Sequence, residues 1–90
     1  MLKRRLPIVN ALGLHARAAA QLVRLAGKFQ CRIMLVRNDT GLSANAKSIL
    51  SVLHLAASFG TSLDIMADGV DEIEAAAAIE KLFENGFGEI

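Results

Sequence analysis

The chain begins with an alternation of apolar and polar residues, which is the pattern of a β-strand. This first alternating stretch covers residues 2–9. Because Pro7 within it cannot donate a ladder hydrogen bond, we expect the strand to lie at an edge of its sheet. Turn residues separate further stretches rich in β-forming or alternating residues, and these predict strands at residues 31–37, 42–45 and 63–67.

Helical spacing of apolar residues replaces the alternation in three other segments. The first predicted helix runs from His15 or Ala16 to about Ala26, and a second, short helix follows Ser48, which is a suitable N-cap. Asp71 and Glu74 have capping-box spacing at the start of the third. The residues expected to form the apolar face of that helix are Ile73, Ala76, Ile79, Leu82 and Phe83.

The predicted order is therefore β-α-β-β-α-β-α, within one domain over residues 1–90. One four-stranded antiparallel sheet with three helices on one face buries the apolar positions of all these elements. We expect an α+β fold, an open-faced β-sandwich whose second sheet face is solvated. The sequence has no apolar run long enough to cross a bilayer and no signal-peptide pattern, so we expect a cytoplasmic protein without membrane insertion.

Charge changes this picture more than composition does. Residues 1–47 contain nine Lys or Arg against one acid, whereas residues 48–90 contain one Lys against eight acids. This asymmetry indicates a surface suited to anions, to phosphate groups or to an acidic partner. A single cysteine, Cys31, cannot form an internal disulfide, and no recognised metal-binding spacing is present, so we expect neither metal nor cofactor.

The candidate chemistry lies where a loop meets the first helix, at His15, Ala16 and Arg17. A helix N-terminus exposes unpaired N–H groups and the positive end of the helix dipole, so it binds phosphate readily. A histidine nitrogen placed there can attack phosphorus and become the phosphoryl acceptor. The backbone N–H groups of Ala16 and Arg17, together with the Arg17 guanidinium, could then hold the phosphoryl oxygens.

The local pattern alone leaves a plainer interpretation open. His15 could simply begin a helix, and Arg17 could be a solvated charge. A longer comparison of the sequence separates the two. Gly13-Leu14-His15-Ala16-Arg17 followed by alanines resembles the active-site signature of the HPr family, Gly-Leu-His-x-Arg-Pro-Ala. Asn45-Ala46-Lys47-Ser48-Ile49-Leu50 resembles the second motif of that family, which surrounds a regulatory serine.

This resemblance runs along nearly the whole chain and implies a phosphocarrier protein. His15 would accept a phosphoryl group from enzyme I, which draws it from phosphoenolpyruvate, and would pass the group to an enzyme IIA domain. The residues leave open which ring nitrogen reacts, and the resemblance favours a pros-phosphohistidine. Arg17 would stabilise the phosphoryl group. The protein would be a carrier with a phosphohistidine intermediate and no turnover of its own.

Ser48 matches the serine that an HPr kinase/phosphorylase modifies in some family members, although an N-cap role explains it equally well. The resemblance also implies that apolar side chains of the short helix dock partner proteins. The expected docking residues are Ile49, Leu50, Leu53, Arg24 and Lys28. The alternative is that all three apolar residues belong to the core. Since the same surface must serve several partners in turn, we expect a monomer.

One departure from the family signature is Ala18, which stands where the family has proline. Proline fixes φ and suits the first helical turn, whereas alanine restores an N–H donor. We expect a slightly less rigid loop with unchanged chemistry.

Three other functions stay open at this point. The stretch Arg37-Asn38-Asp39 and the end of the chain look somewhat like the nitrogen-regulatory branch of the phosphorelay. A small nucleic-acid-binding domain would use the basic N-terminal half, but the chain has no Tyr or Trp for stacking, and we expect no nucleic-acid partner. An enzyme with His15 as general base would need a second catalytic group, which is not visible.

Overall fold

The computed structural model describes residues 1–89, and its elements follow the predicted order. The strands are β1 (Leu2–Pro7), β2 (Arg32–Arg37), β3 (Ser43–Asn45) and β4 (Ser62–Asp68). The helices are α1 (Ala16–Ala26), α2 (Ile49–His54) and α3 (Glu72–Glu84), and a short 3-10 helix follows at Gly86–Gly88. The predicted α+β open-faced sandwich is confirmed.

The four strands form one antiparallel sheet in the order β1-β4-β2-β3. β4 is central and pairs with β1 on one side, where Leu6 faces Leu63, and with β2 on the other, where Leu35 faces Ile65. β1 is an edge strand, as Pro7 predicted, and it ends at that residue rather than at residue 9. The connections from β1 to β2 through α1 and from β3 to β4 through α2 each cross over a neighbouring strand, so the sheet has one helix-covered face and one open face.

The core lies between the sheet and the three helices. Strand residues that point toward the helices alternate with exposed or half-buried neighbours, and they pack against apolar residues of all three helices. The buried helix residues are mostly small in α1, where Ala18, Ala19 and Ala26 surround Leu22. Small side chains let α1 pack closely on α2 and α3, and these contacts help to fix the position of the end of α1 that carries His15.

The opposite face of the sheet is polar, as expected for an antiparallel sheet covered on one side. Asp64 on β4 accepts a hydrogen bond from Nε of Arg5 on β1 at 3.0 Å, and Nζ of Lys3 lies 3.6 Å from its carboxylate. These side chains cover Asp64 so well that its exposure is only 6%. The hydrogen bond from Arg5 holds the pKa of Asp64 below its usual range.

Two expectations about α3 are wrong. The side chain of Asp71 makes no capping hydrogen bond to its own helix. Its carboxylate instead accepts from the backbone N–H groups of Gln30 at 2.8 Å and Cys31 at 2.9 Å, so it secures the chain before β2. Ile73 is 69% exposed rather than part of the apolar face, because that face is already filled by Ala75, Ala76, Ile79 and Phe83.

Candidate functional site

His15 is the N-cap residue of α1. Its backbone is extended, with φ −74° and ψ 178°, and its Nδ1 accepts a hydrogen bond from the backbone N–H of Arg17 at 3.3 Å. The Nδ1 lone pair therefore points toward the unpaired N–H groups of the first helical turn. No acidic side chain lies in that turn. An anion brought to Nδ1 meets the positive end of the helix with no acidic side chain of that turn to oppose it.

The loop before His15 is held rigidly by glycine and asparagine. Gly13 has φ +67°, and a Cβ at this position would lie 2.6 Å from the carbonyl oxygen of Ala57. Only glycine fits so close to a neighbouring backbone with a left-handed φ. The next residue, Leu14, is buried and donates its N–H to the same carbonyl oxygen at 2.9 Å. The two contacts fix the direction in which His15 leaves the loop.

Asn10 also holds the loop that precedes His15. Its side chain is fully buried, and its Nδ2 donates to the carbonyl oxygen of Gly13 at 2.9 Å. The same Nδ2 donates to Oε1 of Glu89 at 2.8 Å. The second carboxylate oxygen of Glu89 contacts Nε2 of His15. Hydrogen bonds from Asn10, and then from His15, hold the pKa of Glu89 below its usual range.

Asn10 and Glu89 are the site residues that the sequence analysis missed. They are 79 positions apart, and neither belongs to the signature around His15. The signal that could have found Glu89 is the run Gly86-Phe87-Gly88. An aromatic residue between two glycines after a helix indicates a turn anchored in the core, which brings the following residues back onto the protein.

Arg17 is exposed on the first turn of α1. Within residues 1–89 its guanidinium makes no hydrogen bond or ion pair shorter than 4.0 Å, while its charge contributes to lowering the pKa of Glu89, after the hydrogen bonds from Asn10 and His15. A solvated guanidinium two residues from His15 can turn toward a phosphoryl group without first breaking another contact. The structure thus brings His15, Ala16 and Arg17 together as predicted.

The second predicted segment has the expected local structure. Ser48 is the N-cap of α2, and its hydroxyl accepts from the N–H of Ser51 at 3.4 Å. Leu50 is 77% exposed, Ile49 is partly exposed, and Leu53 is half-buried against the core. α2 packs on α1. The helix therefore presents two exposed apolar side chains, Leu50 strongly and Ile49 less so, rather than three.

Arg24 and Lys28 lie elsewhere on α1. They line a shallow groove of about 290 Å³ together with Gln21, Leu25 and, from α3, Leu82. No residue of α2 lines this groove in the described part of the chain. The groove therefore joins the two predicted basic docking residues to α3, while the predicted apolar docking residues lie on α2 outside it.

Two further properties of residues 1–89 limit the kinds of site they can form. They contain no group of three or more His, Cys, Asp or Glu side chains that could hold a metal ion. No helix among them combines the length and the apolar character that crossing a membrane requires.

Comparison with known proteins agrees with this geometry. A family profile described as the PTS HPr component phosphorylation site matches residues 2–85. The chain belongs to the HPr family. The phosphocarrier protein HPr of Cupriavidus necator is 47% identical over 89 residues, which cover 99% of this chain and 98% of that protein. HPr proteins are phosphoryl carriers rather than independent catalysts, and this chain is a phosphocarrier of the phosphotransferase system.

Two other relatives refine the family assignment. The phosphocarrier protein NPr of Proteus mirabilis is 46% identical over 86 residues, which cover 96% of this chain and 94% of that protein. Since the HPr and NPr relatives match almost equally well, the comparison does not favour the nitrogen-regulatory branch. The crystal structure of HPr-C-His from Thermoanaerobacter tengcongensis superposes with a TM-score of 0.93 at 39% identity, covering 100% of this chain and 99% of that one.

Proposed function

We propose that Nδ1 of His15 is the phosphoryl acceptor of this HPr-family chain. The observation that carries the proposal is the position of Nδ1 at the start of α1, beside the N–H of Arg17 and with no acid in the first turn. The hydrogen bond of 3.3 Å between them is long. The N–H of Arg17 can therefore exchange Nδ1 for a phosphoryl oxygen as its acceptor at little cost in free energy. The N–H of Ala16 and the Arg17 guanidinium complete the anion site.

The transfer itself needs no group that the chain lacks. The Nδ1 lone pair of neutral His15 forms a bond to phosphorus while the bond between phosphorus and the donor group of the preceding protein breaks, and that group keeps the bonding electron pair. The ring keeps its Nε2 proton and gains positive charge. The fixed dipoles of the N–H groups at the helix start stabilise the negative charge of the phosphoryl oxygens. The reverse sequence delivers the group to the next protein. We propose enzyme I as donor, an enzyme IIA domain as recipient and the cytoplasm as the compartment.

Docking of these partners would use the exposed side chains near His15. Leu50 and Ile49 offer apolar contact, and Leu53 supports them from its half-buried position. Arg24 and Lys28 on α1 would attract an acidic partner from the side of α3. Such a small apolar area suits complexes that form and separate quickly.

We further propose Ser48 as a regulatory site for an HPr kinase/phosphorylase. Its hydroxyl already accepts an N–H at the start of α2, so a phosphate there would be tolerated by the helix. The added negative charge would lie two residues from Leu50 and would repel an acidic partner. A Ser48→Asp variant is expected to accept phosphate from enzyme I more slowly than the parent, and a Ser48→Asn variant is the matched neutral cap. Equal rates for the Asp variant and the parent would contradict the regulatory role.

The decisive experiment is intact-mass analysis after incubation with phosphoenolpyruvate and a competent enzyme I. The parent should gain the mass of one acid-labile phosphoryl group, and His15→Ala should gain none. His54→Ala is the matched control because it removes the other, exposed histidine and should leave the gain unchanged. A phosphoryl group that persists in His15→Ala, or that is absent from the parent, would refute the proposal.

A further inference from the structure

The end of the chain after α3 is built into the fold at the proposed acceptor. Phe87 is buried, and its ring centroid lies 5.0 Å from that of Phe83 on α3. The carbonyl oxygen of Phe87 accepts a hydrogen bond from Nε2 of Gln21 on α1 at 3.2 Å. The next turn closes when the N–H of Glu89 donates to the carbonyl oxygen of Gly86 at 3.0 Å. This anchored turn carries the Glu89 side chain to His15.

The orientation of the Glu89 carboxylate is set from the other side by Asn10. The buried Nδ2 of Asn10 faces two acceptors, the carbonyl oxygen of Gly13 and Oε1 of Glu89. The reverse orientation of the amide would turn an oxygen toward both of them, which is unfavourable, so the amide has one favourable orientation. With Oε1 held by Asn10, Oε2 is left facing Nε2 of His15. The carboxylate can accept the Nε2 proton but has none to give.

We propose that Glu89 is a positioning residue for phosphoryl transfer through His15. A carboxylate that accepts a hydrogen bond from one nitrogen of an imidazole fixes the ring orientation and the position of its proton. Here the proton stays on Nε2, and the Nδ1 lone pair stays free on the side of the helix start. This role rests on the proposed function of His15.

The proton balance of the transfer shows what Glu89 contributes. When Nδ1 bonds to phosphorus, no proton leaves the ring, so the positive charge gained is shared with the Nε2–H group. Glu89 accepts that hydrogen bond before and after transfer, and its charge favours the phosphorylated ring. Because the ring keeps its proton, it departs as neutral imidazole when the group moves on. Asn10 supplies the matching contact that keeps the carboxylate in place.

The test combines two readouts on Glu89→Ala. The first is the ¹H–¹⁵N correlation spectrum of the imidazoles at pH 8.5, well above the ordinary histidine pKa of about 6.5, measured without any partner. The parent should show a slowly exchanging Nε2 proton on His15, and the variant should lose it. The second is the rate of phosphorylation by phosphorylated enzyme I, expected to fall about tenfold, the lower end of the effect of losing a carboxylate behind a histidine ligand.

Controls separate positioning from general damage. Exposed His54 is the internal reference in every spectrum. Glu84→Ala removes another exposed acid near the chain end, one without a hydrogen bond or ion pair within residues 1–89, and should change neither readout. Glu89→Gln keeps an acceptor oxygen without the charge and should restore part of the rate. Phe87 still anchors the turn in each variant, so the urea midpoints should match the parent.

Each outcome decides one question. A His15 Nε2 proton that exchanges as fast as that of His54 in the parent, or a parental transfer rate in Glu89→Ala, overturns the positioning role while His15 phosphorylation stands. A parent that accepts no phosphoryl group at all overturns the proposed function, and the positioning role with it. A slow Nε2 proton together with a tenfold slower variant supports both.

Discussion

The starts of α1 and α3 share a backbone plan but differ in charge. Each helix begins three residues after a glycine with a positive φ, Gly13 before α1 and Gly69 before α3. Each glycine is pressed against a neighbouring backbone: a Cβ would lie 2.6 Å from Ala57 O at Gly13 and 2.7 Å from Cys31 Cα at Gly69. The glycines fix where each helix starts, and the residues that follow determine what that start can bind.

The first turn of α3 supplies its own negative charge. Glu72 and Glu74 lie in it, and Glu72 accepts the N–H of Gly69 at 3.1 Å. The first turn of α1 has no acid, and its nearest carboxylate, from Glu89, contacts the far nitrogen of His15 instead of the helix N–H groups. A helix start becomes an anion site only when the chain leaves it unneutralised. The comparison therefore supports placing the proposed anion site at α1 and not at α3.

The largest effect is expected from alanine at the two glycines. Gly13→Ala and Gly69→Ala should each lower the free energy of unfolding by about 3 kcal/mol, the sum of left-handed backbone strain and overpacking. Gly41→Ala is the control, because Gly41 has φ +77° but nothing within 4 Å of its Cβ. It should cost only the strain, about 1 kcal/mol. Urea denaturation measures the free energy of unfolding of all three variants. Equal losses of stability at the three sites would contradict the role of close packing.

An acid placed in the first turn of α1 should make this helix resemble α3. Ala16→Glu adds a carboxylate at an exposed position beside the proposed anion site. It should slow phosphorylation by enzyme I about tenfold, equivalent to about 1.4 kcal/mol, while the helix dipole makes the fold no less stable. Ala16→Gln controls for size without charge. An Ala16→Glu variant as fast as Ala16→Gln would show that the helix start does not hold the phosphoryl group.

A smaller, pH-dependent effect is expected at α3. Hydrogen bonds from the N–H groups of Gln30 and Cys31 hold the pKa of Asp71 below its ordinary value of about 3.9. Since the folded state has the lower pKa, the stability from Asp71 is complete above pH 4 and is lost as the pH falls through the folded value. The Asp71→Asn variant should thus be less stable than the parent at neutral pH, and its free energy of unfolding should fall less than that of the parent on acidification.

Urea midpoints between pH 3 and pH 7 measure this difference. Asp68→Asn is the control, since Asp68 is exposed and its ion pair with the N-terminal amine is 3.8 Å long. If the urea midpoints of the parent and of Asp71→Asn change with pH in parallel, the hydrogen bonds from the N–H groups of Gln30 and Cys31 do not require the ionised carboxylate.

The sequence predicts the elements well because their signals are local. Alternation gives the strands, Pro7 gives the edge, and Ser48 is the N-cap expected from its position before an apolar run. The prediction for Asp71 is wrong because a side chain that can cap its own helix can also accept hydrogen bonds from distant N–H groups. Spacing alone does not distinguish the two roles. Ile73 fails because smaller alanines already fill the face of α3 that meets the sheet.

The site beyond His15 and Arg17 depends on contacts over long sequence separations. Asn10 and Glu89 meet only after α3 has packed and the turn with Phe87 has closed, so no local pattern contains their pairing. Periodicity places Arg24 and Lys28 on the outer side of α1, but it does not show whether they lie nearer to α2 or to α3; the structure places them in a groove with Leu82 of α3. Side chains that act together through tertiary contacts require the structure.

The smallest effect is expected where this chain departs from the family signature. Ala18 is the third residue of α1, and its N–H donates no hydrogen bond within residues 1–89. Ala18→Pro should raise the free energy of unfolding by about 0.5 kcal/mol, because proline restricts the unfolded chain and suits the first turn. Phosphorylation by enzyme I should stay within about twofold of the parent, or roughly 0.4 kcal/mol. The proposed anion site uses the N–H groups of Ala16 and Arg17, so it loses nothing. A variant that folds like the parent but accepts the phosphoryl group tenfold more slowly would instead place the N–H of Ala18 among the groups that hold it, one residue further into the helix than the present geometry suggests.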